Sequence, residues 1–385
     1  MTPAITSSPI GVYVHLPFCP YLCPYCDFAK WPMRASAAAR YLEALYAELE
    51  REPRATAATF FLGGGTPNAY DAPAIARLAR SLREHFPAPG GAAEREFTIE
   101  VNPELVRAGD LARYRDAGVT RLSIGVQSFD PSEIATLGRK HTAAMVSDAV
   151  AQARAAGMPS VSLDLIFAVP GQTPQSWRRT LEAAIALDVD HVSTYGLTVE
   201  AGTPYAGWQA REPRAFFDDA GEAELYACAI AMLAQAGYEH YEISNFARPG
   251  HRCAHNENYW ENGEYAGLGV GAAAYRGGVR SVHTRSLEEY AEAALAGRVI
   301  PGESERLEGA RRAGEAAMLA LRTEQGVRLG AFKERYGIDP LEHYADAIAR
   351  YTEAGLLERA GDRLRLTPRG RFLANDVCGA FIPFE

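Results

Sequence analysis

Residues 15–28 read HLPFCPYLCPYCDF, with Cys19 and Cys23 separated by three residues and Cys23 and Cys26 by two. Three thiolates on one short loop can surround a compact metal centre, because soft sulfur ligands favour zinc and iron–sulfur clusters. An iron–sulfur cluster usually takes four cysteines. Only three are local here, so one iron would be left open to an outside ligand. Two other readings stand beside this one. The cysteines could be unrelated buried thiols, although free cysteines are rarely so clustered. They could instead hold a structural zinc, which needs a fourth ligand. His15 or the remote group His251, Cys253 and His255 could supply it.

Around this loop the chain alternates short β-branched runs with helical stretches. The runs are Val12 to Leu16, Thr59 to Leu62, Phe97 to Val101, Arg121 to Gln127, Ser160 to Phe167 and His191 to Leu197. Ala- and Leu-rich segments with helical periodicity lie between them, among them Ala37 to Arg51 and Pro174 to Leu187. Repeated strand–helix alternation predicts a parallel sheet with right-handed crossovers. Six units fit an incomplete TIM-like barrel, an α/β fold. Several strands end in Gly or polar residues, and in such barrels the C-terminal strand ends converge on one mouth. The cysteine loop follows the first of those ends.

A long helix, Asp218 to Ala236, an aromatic and polar stretch and the Gly-rich GLGVGAAAYRGG come next. The reading divides the chain at 1–200, 201–300 and 301–385. The last part is expected to be a winged-helix-like α+β domain, with a hairpin around Ala360-Gly361-Asp362 and a final helix from Thr367-Pro368. Its basic and acidic residues nearly cancel, and the whole chain carries 39 Lys+Arg against 48 Asp+Glu, a formal charge of −9. That balance argues against nucleic acid as a partner. No run approaches the ~18–20 apolar residues of a membrane span. The N-terminal residues lack a secretory pattern, so a cytoplasmic protein is expected. Six cysteines in 385 residues are too few for a disulfide scaffold.

The motifs YVHLPFCPYLCPYCDF, LGGGTP, EVNPE, RLSIGVQSF, LGRKHT and DLIFAVPGQT, in that order, resemble the radical S-adenosylmethionine (radical SAM) superfamily. Within it they resemble the coproporphyrinogen dehydrogenase group, which includes the HemW-type heme chaperones. The resemblance spans essentially the whole chain from about Gly11. It implies a 4Fe-4S cluster on Cys19, Cys23 and Cys26, whose open iron is chelated by SAM, with reductive cleavage of SAM to a deoxyadenosyl radical. It further implies SAM contacts from Tyr13, Tyr25, Gly64, Gly65, Thr66, Glu100, Gln127, Arg139 and Asp164. Read from the residues alone, the glycines let backbone approach a ligand without Cβ obstruction. Glu100 suits ribose hydroxyls or an ammonium. Asp164 sits inside VSLDLIFAV and must meet a donor or a polar cavity.

His255-Asn256-Glu257-Asn258-Tyr259-Trp260 has the form HNxxYW and resembles the HemW signature. That implies heme binding by His255, Asn256, Tyr259 and Trp260, with imidazole as an axial ligand and the aromatics against the macrocycle. On residues alone the same stretch is an aromatic packing corner, and His251, Cys253 and His283 are rival ligands. Two differences separate the chain from the porphyrinogen-oxidising branch. Phe28 stands where that branch has a fourth cysteine, and only about ten residues precede the first strand. A third cuts the other way: Ala273 stands where many relatives carry His in the Gly-rich run. The expected function is therefore delivery of heme to acceptor proteins, with possible peripheral contact with membrane acceptors. Oxygen-independent coproporphyrinogen III oxidase is the rival activity, and a metal-stabilised interaction module the rival from another class.

Overall fold

A computed structural model describes residues 8–91 and 96–382. Residues 1–7, part of the N-terminal stretch that lacks a secretory pattern, and residues 383–385 lie outside the described residues. Twelve strands form one sheet. Its middle is parallel and runs, edge to edge, Tyr265–Leu268, Ile10–Leu16, Ala57–Gly64, Glu96–Val101, Arg121–Gln127, Ser160–Phe167 and His191–Gly196. Six of these seven are the expected units. The seventh, Tyr265–Leu268, straddles the start of the Gly-rich run at Gly267 and has too few residues to show an alternation. Antiparallel strands extend both edges: Asn245–Ala247 and Glu239–His240 beyond His191–Gly196, and Ala273–Arg276, Val279–His283 and Gly302–Arg306 beyond Tyr265–Leu268. The large sheet thus runs through Arg306, past the division expected at 300.

Alternation along the strands sorts side chains to two faces. Val12, Val14, Phe60, Leu62, Ile99, Leu122, Leu163 and Val192 belong to one buried apolar cluster with the helices. In the Ala35–Arg51 helix, Ala38, Tyr41, Leu45 and Leu49 are buried at the spacing of one helical face. Helix starts are locally encoded: Asp130 caps the helix begun by Pro131, and Thr173 makes a capping box with Ser176 ahead of Pro174–Ala186. The opposite strand face carries Thr98, Glu100, Arg121, Ser123, Ser162, Asp164, His191 and Ser193, which line a polar interior.

After Arg306 the chain builds a separate buried cluster that includes Leu321, Val327, Phe332, Leu357, Leu364 and Val377. A three-stranded sheet of Val327–Arg328, Arg363–Leu366 and Leu357–Ala360 packs with helices in the order expected of a winged helix. The final helical segment follows Thr367-Pro368 as a 3-10 helix, Gly370–Leu373, that runs into the α-helix Ala374–Gly379. Thr367 accepts from the Gly370 amide at 3.0 Å and donates to the Gly355 carbonyl at 2.8 Å, fixing its start. A Cβ on Gly370 would lie 1.9 Å from the Leu356 carbonyl oxygen, so glycine lets this start press against the chain that leads into the hairpin. The C-terminal unit docks on the sheet edge through backbone bonds between Tyr241–Ile243 and Arg322–Glu324.

Candidate cluster and nucleoside site

The cysteine loop is held before and after its turn. Phe18–Cys19 pairs with Trp31–Pro32, and the Met33 amide donates to the Cys19 carbonyl at 2.8 Å. The GGGT turn then continues the pairing of the first two expected strands onto this loop. The Gly65 amide reaches the Leu16 carbonyl at 2.8 Å and the Thr66 amide the Phe18 carbonyl at 3.1 Å. Here the glycines answer mainly to the protein. A Cβ on Gly65 would sit 2.6 Å from the Leu16 oxygen and 2.7 Å from the Pro17 carbonyl carbon, and one on Gly64, at φ 105°, 2.4 Å from the His15 ring.

Cys19, Cys23 and Cys26 line the mouth of a cavity of about 440 Å³ inside the barrel, and all are free thiols. Burial pushes the Cys19 thiol up to about 11, against a hydrogen bond from Thr66. Such thiols ionise when a metal takes the proton's place. Three soft thiol donors on one short loop, Cys19, Cys23 and Cys26, are a donor set that an iron–sulfur cluster takes.

Across the lumen stand the strand-end residues. Glu100 accepts from the Gly64 amide at 3.0 Å, and burial, reinforced by Asp164, pushes its carboxyl up to about 8. Asp164 is raised by burial too, while Ser123 Oγ at 2.9 and 3.0 Å from its two oxygens opposes the shift. Arg139 reaches Asn102 at 3.0 Å and the Gly125 carbonyl. Gln127 adopts φ 64° at a register shift in its strand, a strained backbone of the kind that marks ligand sites. Tyr25, Gly64, Gly65 and Thr66 complete this wall. Eight of the nine expected SAM residues therefore face one lumen. Tyr13 faces a different cavity, with its hydroxyl 2.9 Å from His15 Nδ1. Sequence reasoning missed Arg121, Ser162, His191 and Ser193, which share the lumen. The period-2 alternation backwards from Asp164 reaches Ser162, and from Gln127 it reaches Arg121; on the His191–Gly196 strand no expected site residue marked the inward face.

HNxxYW lies at the other end. The helix Ala254–Trp260 is held at the strand starts by Glu96, whose carboxylate accepts from the Ala254 and His255 amides at 3.2 and 3.1 Å and pairs with buried Arg121 at 3.7 Å. His255 is fully buried. Its Nδ1 lies 2.9 Å from Thr59 Oγ1 and its Nε2 2.8 Å from Tyr259 Oη. Burial pushes this imidazole down to about 3. Both ring nitrogens are therefore engaged, and neither points at open space. Rings of Tyr13 and Phe61 (6.1 Å apart), Phe61 and His255 (5.3 Å), and His255 and Tyr259 (4.9 Å) form a wall between the lumen and a second cavity of about 500 Å³. Asn256 faces the lumen and Tyr259 the second cavity. Trp260 lines neither and sits under the Arg322 guanidinium, 5.4 Å away. The four residues do not converge on one site. Of the rival ligands, Cys253 lies on the lumen floor beside Glu96, His251 faces Asp190, and His283 faces Glu48.

Residues 13–184 match the radical SAM superfamily and residues 307–373 the HemN C-terminal domain. The heme chaperone HemW of Mycobacterium tuberculosis (strain ATCC 25618 / H37Rv) is 39% identical over 96% of this chain and 94% of its own length. HemW of Bacillus subtilis (strain 168) is 32% identical over 97% and 99%. Among solved structures, Escherichia coli coproporphyrinogen III oxidase (HemN), a radical SAM enzyme, superposes with a TM-score of 0.85 at 25% identity, covering 98% of this chain and 91% of the oxidase. A superfamily whose members carry a 4Fe-4S cluster and SAM accounts for the cysteine mouth and polar lumen together: the chain belongs to the radical SAM superfamily and, within it, to the HemW family.

Proposed function

We propose that this protein is a heme chaperone of the HemW type, binding heme and passing it to acceptor proteins, with a 4Fe-4S cluster held by Cys19, Cys23 and Cys26. The observation that carries the cluster assignment is the arrangement of these thiols on a doubly anchored loop at the mouth of a polar lumen. SAM would lie across Tyr25, Gly64 to Thr66, Glu100, Gln127, Arg139 and Asp164, where Glu100 can receive a cationic group and Asp164 hydroxyls. The bound cluster supplies an electron source and an open iron for the amino-acid end of SAM. Phe28 beside Cys26 supports transfer over porphyrinogen oxidation, because no thiol stands at that position. In the HNxxYW segment, Tyr259 and Asn256 keep a role at cavity walls, while His255 and Trp260 position them. Six free thiols, net negative charge and the lack, among described residues, of a helix able to cross a membrane support a cytoplasmic protein that meets membrane acceptors only peripherally. We divide the chain near residue 307, where the large sheet ends and the second core begins.

The test is anaerobic reconstitution followed by an iron count, hemin titration, transfer to an apo-heme protein and an assay on coproporphyrinogen III. One cluster per chain, stoichiometric hemin and transfer without porphyrinogen turnover are expected. Sustained turnover with SAM and reductant would assign the oxidase activity instead, and tightly bound zinc without iron the metal-stabilised module.

A further inference from the structure

We propose that the second cavity, between the antiparallel extension of the sheet and the Gly309–Leu321 helix of the C-terminal unit, seats the heme as a flat, carboxylate-bearing macrocycle. This deepens the chaperone reading and rests on it. The cavity measures about 500 Å³, within the range of small-molecule sites.

Chemistry favours this cavity over the lumen. The lumen presents Glu100, Asp164, Ser123 and Ser162, and covering them with an apolar ring would strand hydroxyls and carboxyls away from water. The second cavity presents Tyr265, Tyr275, Val282 and Met318, with Tyr259 as its inner wall, and its Glu315 carboxylate is already paired with Arg280, while Asp27, His15 and Asn262 supply its remaining polar lining. Aromatic and thioether surfaces suit a conjugated ring. Room for it exists because Ala273, on the sheet side, offers only a methyl group.

The rim carries the complementary charge. Arg280 is already engaged by Glu305 and Glu315. Arg285 is exposed; it donates to the Asp27 carbonyl and has the Asp27 carboxylate at 4.0 Å, contacts at the surface that a propionate can replace or share. Position supplies the link to the cluster. Asp27 and Phe28, the two residues after Cys26, border both cavities, and Phe28 is 60% exposed at that junction. A macrocycle seated here would touch the segment that holds the cluster without entering the nucleoside lumen.

The experiment uses reconstituted full-length protein and titrates hemin, metal-free protoporphyrin IX and hemin dimethyl ester. Ala273→Trp and Leu319→Trp fill the cavity from opposite walls. Each is expected to weaken hemin about ten-fold or more, the equivalent of ~1.4 kcal/mol, with iron content and SAM affinity unchanged. Protoporphyrin IX should compete with hemin, because the walls recognise the ring. Arg285→Ala, on an exposed side chain, should weaken hemin by about five-fold, an ordinary size for one surface charge, and leave the dimethyl ester unaffected. Wild-type protein that binds hemin while both filling variants and Arg285→Ala bind it equally well would overturn the site and leave the chaperone reading standing. Wild-type protein that binds no hemin would overturn both. If a filling variant loses its cluster or its folding transition, the Arg285→Ala comparison between hemin and its ester decides.

Discussion

Replacing His255 by Ala separates a ligand from a structural residue, because the structure assigns it a sizeable share of stability without heme. The substitution removes two hydrogen bonds, to Thr59 and Tyr259. Each such bond contributes a net ~0.5–1.5 kcal/mol, and a hydroxyl left unpaired in the interior costs ~1–3 kcal/mol. The ring also packs 5.3 Å from Phe61, so a cavity opens where the lumen and the second cavity meet. Together these give about 3–5 kcal/mol. His255→Asn, which can keep a partner for Thr59 but not for Tyr259, should lose roughly half of that. Anaerobic denaturant unfolding of heme-free protein measures both. A pH series adds a sign. The folded imidazole stays neutral down to about 3, whereas an unfolded histidine takes a proton near 6.5. As pH falls below 6.5 the unfolded state binds the extra proton, so this histidine's contribution declines by ~1.4 kcal/mol per pH unit. The gap between wild type and His255→Ala should narrow over that window. A His255→Ala protein within ~1 kcal/mol of wild type that nonetheless loses its Soret band would refute the structural role and restore axial ligation.

Alanine at Cys19, Cys23 or Cys26 should abolish the cluster signal while the thermal transition moves little, because the barrel core lies elsewhere; an unfolded Cys23→Ala protein would contradict this. Gly65→Val should lower iron content together with SAM affinity, since its Cβ meets the backbone that leads to Cys19; full iron with lost SAM binding would mean that it only obstructs the lumen. With its carboxyl held up to about 8, Glu100 is mostly protonated at pH 7. Binding a cationic group of SAM favours the carboxylate, so about one proton should leave Glu100 at pH 7 and far fewer near pH 9. Calorimetry in buffers of different ionisation enthalpy reads this, and Glu100→Gln should lower the total release by that one proton, leaving only what the amino group of SAM gives up on ligating iron.

The sequence disclosed the six-unit barrel because most of its strands alternate apolar with polar residues and several helices, those after Asp130, Thr142 and Thr173, carry their own side-chain caps. It did not disclose Tyr265–Leu268, whose four residues sit among glycines, nor Gly302–Arg306, all charged or small and exposed on an edge. At the site, the meeting of the cysteine loop with the strand-end residues in one lumen was legible because strand ends of a parallel barrel converge on one mouth. The engagement of His255 was not, because Thr59 lies 196 residues away in sequence. Gly65 was legible as a special position but for a ligand, whereas its neighbour is the Leu16–Phe18 backbone.

That same backbone pairing bears on how the protein matures. Leu16 and Phe18 are tied to Gly65 and Thr66, and Pro17 and Cys19 to Trp31 and Met33. The ends of the cysteine turn are thus fixed by strand pairing, and the entropy of closing it is lost during folding, before iron arrives. Metal capture then becomes a late step on a prepared surface, and cluster loss through oxidation should be a reversible injury that reloading repairs without unfolding the chain.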